Sequence, residues 1–381
     1  GGGAAGSNGG CEPARRLQQQ LREVDTVARL GGDEFDVLLP ELSDEPTQAA
    51  AAARTVADKL RTALAEPYAL EGGEHYLGVS IGVTLFPVAE NDSCEILLRQ
   101  ADTAMYRAKE GGRNAVCFFE PHMQSAVEAR LALETELREA VAREEFQLYL
   151  QAQHDAAGRL VGAEALLRWA HPVKGLVPPT AFIPLAEETG LIVALGNWVL
   201  RQGARLLKSL EDAGHDLRLS INVSPRQFHE ADFVGQVHTV LAETGASPNR
   251  LVLEITEGML LRDAGEAIAR MTELEHLGVQ FSIDDFGTGY SSLSYLKRLP
   301  LHELKIDRTF VADLPRDADD AALVETILLI ARQMRLNVVA EGVETEAQFD
   351  WLKGKGCDGF QGYLLGRPIP QAEFVASLHQ H

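Results

Sequence analysis

Hydrophobic and polar positions follow two different rhythms along the chain, and the change falls near Phe146. Before it, two apolar runs flank a Gly-Gly turn in VARLGGDEFDVLLP (27–40), which predicts a β-hairpin. Amphipathic stretches over 45–66 and 93–110 predict helices, and the apolar run 76–87 predicts a strand. The change of rhythm therefore predicts two structural units.

After Phe146, short apolar runs alternate with helical stretches such as 264–278 and 322–334. The candidate strands are FQLYLQA, LVGAEALLRW, LRLSINVS, LVLEITE, VQFSIDDF, ELKIDRTF, NVVAEGVE and GFQGYLL. Eight such strands with intervening helices predict an α/β fold, a (β/α)8 TIM-like barrel. An open doubly wound sheet is the alternative, but it should carry a Gly-rich nucleotide turn after its first strand, and the sequence has none. A long amphipathic helix is predicted over 128–145.

Length, charge and cysteine content narrow the class of protein. A chain of 381 residues is too long for one ordinary core. The formal net charge of −21 argues against a surface that binds duplex nucleic acid. Four scattered cysteines predict a reducing compartment without a disulfide framework or zinc site. No apolar run approaches the roughly 18 residues of a membrane span, no signal peptide is visible, and residues 1–16 are interpreted as a flexible linker or remnant.

Polar side chains fall at or near the carboxyl ends of the candidate barrel strands. In a barrel these ends meet on one face, where active sites of this fold are built. Any single one could be a solvated strand end or a helix cap, but together they predict a shared polar site. The residues are Glu164, Arg168, Asn222, Glu254, Glu257, Asp284, Asp285, Lys305, Asp307, Glu341, Glu344 and Gln361.

The charge of this predicted site points to a chemistry. Several carboxylates in one mouth are too costly unless cations bind or pKa values rise. Hard oxygen ligands suit Mg²⁺ or Mn²⁺, and the adjacent Asp284 and Asp285 suit two metals about 3.5–4 Å apart. Lys305 could hold a nucleophilic water, and Arg168 has the forked geometry for a phosphate oxygen. The residues alone therefore predict metal-dependent phosphoester hydrolysis, without choosing the phosphodiester.

Seven motifs occur in order over residues 135–381 and resemble the EAL-domain cyclic di-GMP phosphodiesterases. They are EALLR (164–168), NVS (222–224), EITE (254–257), DDFGTGYSSL (284–293), KID (305–307), EGVE (341–344) and QGY (361–363). The resemblance implies hydrolysis of cyclic di-GMP to 5′-pGpG with two Mg²⁺ or Mn²⁺ ions, and a homodimer through this domain. Ala152 stands where the family commonly has proline.

The same resemblance implies roles for individual residues. Glu164, Asn222, Glu254 and a bridging Asp284 would bind the first metal, and Asp285 and Glu341 the second. Lys305 would contact the attacking water, Glu257 would brace the 284–293 loop, and Glu341, Lys305, Asp285 and Glu257 form the implied catalytic group. The substrate-binding residues would be Arg168, Leu166, Asp307 and Gln361.

Residues 17–120 resemble part of the GGDEF diguanylate cyclase domain, with 121–134 as a connecting helix. The matching motifs are RLGGDEF (29–35), VSIGV (79–83) and ADTAMYRAKEGGRN (101–114). The implied GTP-site residues are Gly31, Gly32, Asp33, Glu34, Lys109 and Arg113. REVD (22–25) matches the family's inhibitory product site, which would use Arg22 and Asp25.

Three functions are compared on this basis. A family cyclase domain should begin some fifty residues earlier, with a strand that carries another metal-binding aspartate, so we expect no synthesis of cyclic di-GMP by this chain. A catalytically silent receptor would predict a lost Asp285 or Glu341, and both are present. A bifunctional full-length protein is the other alternative. A bacterial cytoplasmic location is expected, and the full-length protein could be tethered to a membrane.

Overall fold

The computed structural model describes residues 11–70, 73–75, 77–86, 93–111, 114–260, 264–287 and 296–379. It divides into two compact units, Gly1–Thr135 and Glu136–His381. The division falls inside the helix Pro121–Arg143. The sequence places the domain edge at 134/135 within the helix predicted over 128–145, and the observed helix starts earlier and ends two residues sooner.

The first unit is built from short elements. Its helices and strands are α1 Cys11–Gln20, β1 Thr26–Gly31, β2 Glu34–Leu38, α2 Pro46–Ala65, β3 Tyr68–Leu70, β4 Gly73–His75, β5 Ile81–Val83, α3 Cys94–Glu110, β6 Val116–Phe118 and the start of α4 Pro121–Arg143. Among the described residues, the strands pair as three separate two-stranded sheets, β1–β2, β3–β4 and β5–β6. The predicted hairpin is β1–β2, and the predicted strand 76–87 contributes only β5 to a described sheet.

Helix α1 occupies part of the segment that the sequence interprets as a linker. Residues 1–10 lie outside the described residues, but 11–16 are helical. Arg16 donates hydrogen bonds to the carbonyl oxygens of Glu66 and Pro67, at 2.7 and 2.8 Å, and Leu17 is buried against Leu60 and Leu64. The linker prediction is therefore wrong for 11–16, because the contacts of Arg16 and Leu17 fix the helix on α2 and on the two residues that follow it.

The second unit contains an eight-stranded closed barrel. Its strands, in the order in which they are hydrogen-bonded around the barrel, are β7 Phe146–Asp155, β8 Leu160–His171, β10 Arg218–Asn222, β11 Leu251–Thr256, β12 Gln280–Phe286, β13 Glu303–Ile306, β14 Asn337–Ala340 and β15 Gly359–Phe360, which pairs with β7. Two short edge strands, β9 Gly175–Val177 and β16 Ile369–Pro370, pair with β8 and β7. The predicted TIM-like barrel is confirmed.

One strand of the barrel runs against the others. Strands β8 and β10–β15 are parallel where they pair, whereas β7 is antiparallel to both of its barrel neighbours. A parallel crossover needs a dozen or more residues, and only 156–159 separate β7 from β8. Asp155 accepts hydrogen bonds from the backbone of Ala157 and Arg159, at 2.9 Å each, and Gly158 has φ 76°. The first connection is therefore a tight turn rather than a helix.

Helices cover the outside of the barrel. They are α5 Pro179–Thr189, α6 Leu191–Asp212, α7 Pro225–Phe228, α8 Phe233–Thr244, α9 Ala264–Leu277, α10 Arg308–Val311, α11 Ala318–Met334, α12 Glu346–Gly354 and α13 Gln371–Leu378. Apolar strand residues such as Leu253, Ile255, Phe281 and Ile283 belong to the same buried cluster as the apolar faces of these helices. Since strand side chains alternate between faces, the polar residues between them, such as Glu254, project into the barrel.

Among the described residues, no single helix combines the length and hydropathy needed to cross a membrane. One bent pair, α5 with α6, meets the criterion when the two helices are taken together across a 118° bend.

Candidate active site and metal centre

A buried ammonium group lies at the centre of the barrel mouth, the end at which the parallel strands finish. Lys305 Nζ lies 2.7 Å from Glu254 Oε2 and 2.5 Å from Glu341 Oε1. It lies 3.4 Å from Glu164 Oε2 and 3.5 Å from Asp284 Oδ1. The Lys305 side chain is 0% exposed. Neighbouring parallel strands therefore bring together five charged groups that are far apart in sequence.

These acids outnumber the cation that they surround. Burial by itself would lower the pKa of Lys305, but the four carboxylates raise it well above its ordinary value, so the ammonium stays charged. Burial, with the charge of Glu164, raises the pKa of Glu254 well above the usual range. Burial also raises the pKa of Glu341 to about 7, although Lys305 opposes this shift. The site thus retains an excess of acidic groups for which further positive charge would be favourable.

Three of the acids form a group suited to a divalent cation. Asp284, Asp285 and Glu341 each offer a carboxylate oxygen, and these oxygens all lie within 4.8 Å of one another. Burial, the Asp284 charge and a hydrogen bond with Asp307 raise the pKa of Asp285 to about 6. Such a set of hard oxygen donors could hold a metal ion. The adjacent aspartates at the end of β12 therefore belong to one acidic centre, as the sequence predicts.

The backbone at Asp285 is in the left-handed region, with φ 55°. This conformation is uncommon outside glycine, and it lets the backbone N–H of Asp285 donate to Asp284 Oδ1 at 3.0 Å. Asp307, predicted to bind substrate, caps α10 by accepting from Thr309 N at 2.8 Å. Burial tends to raise the pKa of Asp307, but the hydrogen bonds from Thr309 and Asp285 outweigh it and leave that pKa lowered. A hydrogen bond between their side chains thus links Asp285, at the end of β12, to Asp307, at the start of α10.

Amide side chains hold the carboxylate of Glu164. Asn222 Nδ2 donates to Glu164 Oε1 at 2.6 Å, and Gln361 Nε2 donates to Glu164 Oε2 at 2.6 Å. Burial opposes ionisation of Glu164, but Lys305 and the two amides outweigh it and lower the pKa of this carboxyl. Glu164 itself lies inside β8 rather than at its end, because β8 continues to His171 to pair with β7 and β9.

Two buried amides on β7 extend this network, and sequence reasoning missed them. Gln361 Nε2 also donates to Gln151 Oε1 at 3.1 Å, and Gln153 Nε2 donates to Gln361 Oε1 at 3.0 Å. The signal was available, since Gln151 and Gln153 alternate with apolar residues and therefore share the inward face of β7. It is easily overlooked because β7 runs antiparallel, so its polar residues do not mark a strand end at the mouth.

The other predicted residues of this half have separate environments. Arg168 lies with its guanidinium 5.4 Å from the ring centre of Tyr149 and donates to the Leu167 carbonyl oxygen at 2.9 Å. Burial lowers the pKa of Arg168. Leu166 is half-buried on the same strand. Glu257 is buried, and no described residue hydrogen-bonds its carboxylate. Glu257 was predicted to brace the 284–293 loop, of which residues 288–293 lie outside the described residues.

The Gly-Gly hairpin of the first unit has a different character. Gly31, Gly32, Asp33 and Glu34 are all exposed, and Gly32 has φ 54°, which a side chain would disfavour. Arg29 Nη2 donates to the Gly32 carbonyl oxygen at 2.6 Å and closes the turn. Lys109 is exposed on α3.

The remaining predictions of the first unit concern Arg113 and the REVD motif. Arg113 lies outside the described residues. Arg22 and Asp25 form an ion pair, with Arg22 Nη2 2.7 Å from Asp25 Oδ1 and 2.9 Å from the Pro40 carbonyl oxygen. The hydrogen bonds from Arg22 lower the pKa of Asp25.

Two family models match the chain. The GGDEF diguanylate cyclase model matches residues 11–115. The EAL domain model matches residues 134–368, which is more than half of the chain. The chain belongs to the EAL domain family. The predicted family is therefore confirmed, with a GGDEF part preceding the EAL domain.

Curated relatives of this EAL protein carry names related to cyclic di-GMP. It is 46% identical over 369 residues to the bifunctional diguanylate cyclase/cyclic di-GMP phosphodiesterase MucR of Pseudomonas aeruginosa, covering 96% of this chain and 53% of MucR. It is 37% identical over 354 residues to the cyclic di-GMP phosphodiesterase PdeR of Escherichia coli, covering 93% of this chain and 52% of PdeR. The chain thus spans about half the length of these relatives.

Solved structures support the same fold. The structure of the PaMucR phosphodiesterase with c-di-GMP is 47% identical to the EAL protein, with a TM-score of 0.62, and the match covers 64% of this chain and 99% of that one. The EAL enzyme Bd1971 with cAMP and cyclic di-GMP is 32% identical, with a TM-score of 0.63, and the match covers 75% of this chain and 76% of that one.

Proposed function

We propose that the EAL domain of this chain hydrolyses cyclic di-GMP to linear 5′-pGpG. The observation that carries the proposal is the acidic centre, in which Asp284, Asp285 and Glu341 gather beside a buried, charged Lys305. Carboxylate clusters of this kind suit metal-assisted attack on phosphorus. The names of MucR and PdeR support cyclic di-GMP as the substrate, a choice that the carboxylates alone do not make.

We propose that this acidic centre holds two Mg²⁺ or Mn²⁺ ions. Glu164, Asn222, Glu254 and Asp284 would hold one ion, and Asp285 and Glu341 would hold the other together with Asp284. When bound, such ions lower the pKa of a shared water and stabilise charge on the oxygens around phosphorus. The excess of acids over the single ammonium of Lys305 supports this assignment.

The protein's own residues would orient the reaction. Hydrolysis adds the hydroxyl of water to phosphorus, breaks one P–O3′ bond and leaves the proton on the departing 3′ oxygen. Lys305, held charged by its four carboxylates, would position the attacking water and offset negative charge that develops during attack. Arg168 and Leu166 lie on the strand that carries Glu164, and Arg168 offers a guanidinium to a phosphate oxygen.

The test is turnover of cyclic di-GMP by the whole chain in Mg²⁺, Mn²⁺, Ca²⁺ and EDTA, with the products resolved by chromatography. We expect pGpG in Mg²⁺ or Mn²⁺ and none in EDTA. Ca²⁺ should support binding but not turnover, because its larger and looser shell fits a two-metal site poorly. Tight binding without turnover in Mg²⁺ and Mn²⁺ would reject the hydrolase and favour a receptor.

We further propose that the GGDEF part binds GTP at its hairpin, that the chain forms a homodimer through the EAL domain, and that it works in the bacterial cytoplasm. The exposed Gly31–Gly32 turn supports the first of these, because it leaves the backbone accessible to a nucleotide. Calorimetry with GTP and light scattering on the purified chain test binding and oligomeric state. The absence of binding heat with GTP would contradict GTP binding, and a monomer in light scattering would contradict the homodimer.

A further inference from the structure

Gln153 is buried in the barrel, and its side-chain hydrogen bond among the described residues goes to Gln361 rather than to the acids that surround Lys305. It is 2% exposed, and its Nε2 donates to Gln361 Oε1 at 3.0 Å. Gln361 is 4% exposed, and its Nε2 donates to Glu164 Oε2 at 2.6 Å. A chain of two amides therefore leads from the middle of β7 to the Glu164 carboxylate.

The donors and acceptors of these hydrogen-bonded amides permit only one orientation of the Gln361 side-chain amide. A carboxylate only accepts hydrogen bonds, so Gln361 must present its NH₂ group to Glu164. The second hydrogen of that group is donated to Gln151 Oε1, which lies 3.1 Å from Gln361 Nε2. The oxygen of Gln361 then faces away from Glu164, towards a group that must donate, and Gln153 supplies that donor. A reversed Gln361 amide would place its oxygen against the carboxylate and leave buried groups unpaired, at about 1–3 kcal/mol each.

The network is anchored to the backbone and has space made for it. Gln151 Nε2 donates to the Gly366 carbonyl oxygen at 3.1 Å, which fixes the third amide. Gln153 lies opposite Gly162 in the β7–β8 register. A Cβ at position 162 would lie 2.9 Å from the Arg218 carbonyl oxygen and 3.1 Å from Gln153 Oε1. The absence of a side chain at Gly162 thus leaves room for the backbone of β10 and for the Gln153 amide.

We propose that Gln153 is a positioning residue of the metal centre, which fixes the Gln361 amide so that Gln361 can hold Glu164 in place for a divalent cation. This inference rests on the proposed function, because it takes Glu164 as a metal ligand. Partners that orient a ligand typically contribute 10–100-fold to metal affinity or activity. Gln153 is one group further from the metal than Gln361, so we expect roughly tenfold.

The first experiment replaces the donor while keeping its size. Gln153→Met removes the N–H groups and keeps an unbranched side chain of similar length, and Gln153→Ala removes the same donor without adding bulk. The matched control is Gln333→Met, at an exposed position of helix α11 on the outside of the barrel. Mn²⁺ binding is measured by calorimetry on the full chain, with kcat, KM for cyclic di-GMP and the thermal unfolding midpoint. We expect about tenfold weaker Mn²⁺ binding and lower kcat in both Gln153 variants, with KM near the control's value. The unfolding midpoint should fall below the control's, because the buried Gln361 oxygen loses its donor.

A double-mutant cycle then tests the route of the effect. If Gln153 acts through Gln361, Gln361→Met alone should weaken Mn²⁺ binding at least as much, and adding Gln153→Met to it should change little. Additive losses, or unchanged Mn²⁺ binding in both Gln153 variants, would overturn the proposal. A wild-type chain that binds Mn²⁺ without hydrolysing cyclic di-GMP would reject the proposed function, and the Mn²⁺ comparison would still decide the role of Gln153.

Discussion

The barrel mouth and the Gly-Gly hairpin are both acidic, but the two regions hold their charges differently. In the barrel, Glu254, Asp284 and Glu341 share one buried ammonium, and burial raises the pKa of Glu254 and Glu341. In the hairpin, Asp33 and Glu34 are exposed to solvent. Closure of parallel strands forces their ends together, whereas a two-stranded hairpin leaves its turn in water. The same residue types therefore become a buried acidic cluster that could hold a metal ion in one region and solvated charges in the other.

Removal of the central cation should have the largest effect. Lys305→Met would leave four acids near one another without their ammonium, and losing one partner of a buried ion pair costs about 3–5 kcal/mol. We expect a large fall in the free energy of unfolding in EDTA, measured by denaturant titration, and loss of hydrolysis. Lys109→Met, at an exposed position of α3, is the matched control. Equal stability of the two variants would contradict a central role for Lys305.

Neutralising one acid in the barrel mouth and one in the hairpin should reduce hydrolysis by very different amounts. Asp284→Asn keeps the side-chain size but removes a carboxylate of the proposed metal centre, and we expect hydrolysis to fall at least about 100-fold. Asp33→Asn should cost far less, because Asp33 lies in the exposed hairpin. Initial rates in Mg²⁺ measure both. Comparable losses would show that the hairpin contributes to the reaction of the barrel.

The pH dependence of stability should follow the raised pKa values at the mouth. In EDTA, the Glu341 pKa of about 7 exceeds its ordinary 4.5, so the folded state holds more protons than the unfolded state between these values. Stability that this group contributes is present below pH 4.5 and is lost as pH rises through about 7. Glu341→Gln should thus unfold at a higher temperature than wild type at pH 8 and at a similar temperature at pH 4.5. A larger gain at low pH would contradict the assigned shift.

The smallest effect is expected in the first unit. Asp25→Asn removes the ion pair with Arg22. The Arg22 side chain is 51% exposed, so solvent weakens the pair and we expect only a small loss of stability. Because the pKa of Asp25 is lowered, this contribution is present near neutral pH and is lost as pH falls through the folded pKa. Thermal unfolding of the two proteins at pH 7 and pH 3 measures it. A difference that grows at pH 3 would reject the sign.

Much of the second unit could be read from sequence because its periodicities are local. Apolar runs and intervening amphipathic stretches locate strands and helices, and polar residues near strand ends mark the mouth. The helix predicted over 264–278 is observed as Ala264–Leu277. The strand predicted over 76–87 is shorter in the structure, at Ile81–Val83, since an apolar run does not by itself provide a pairing partner for each residue.

Periodicity and motifs were enough to predict the barrel class, the family and the residue types that meet at the mouth. The folded barrel was needed to show that four acids surround Lys305 and that Gln153 is linked to Glu164 through Gln361. A side-chain period of two fixes the face of a strand on which a residue lies, but not which groups face it across a closed barrel. Those distances depend on the order, direction and register of all eight strands, and they set the charge balance and hydrogen bonding of the site.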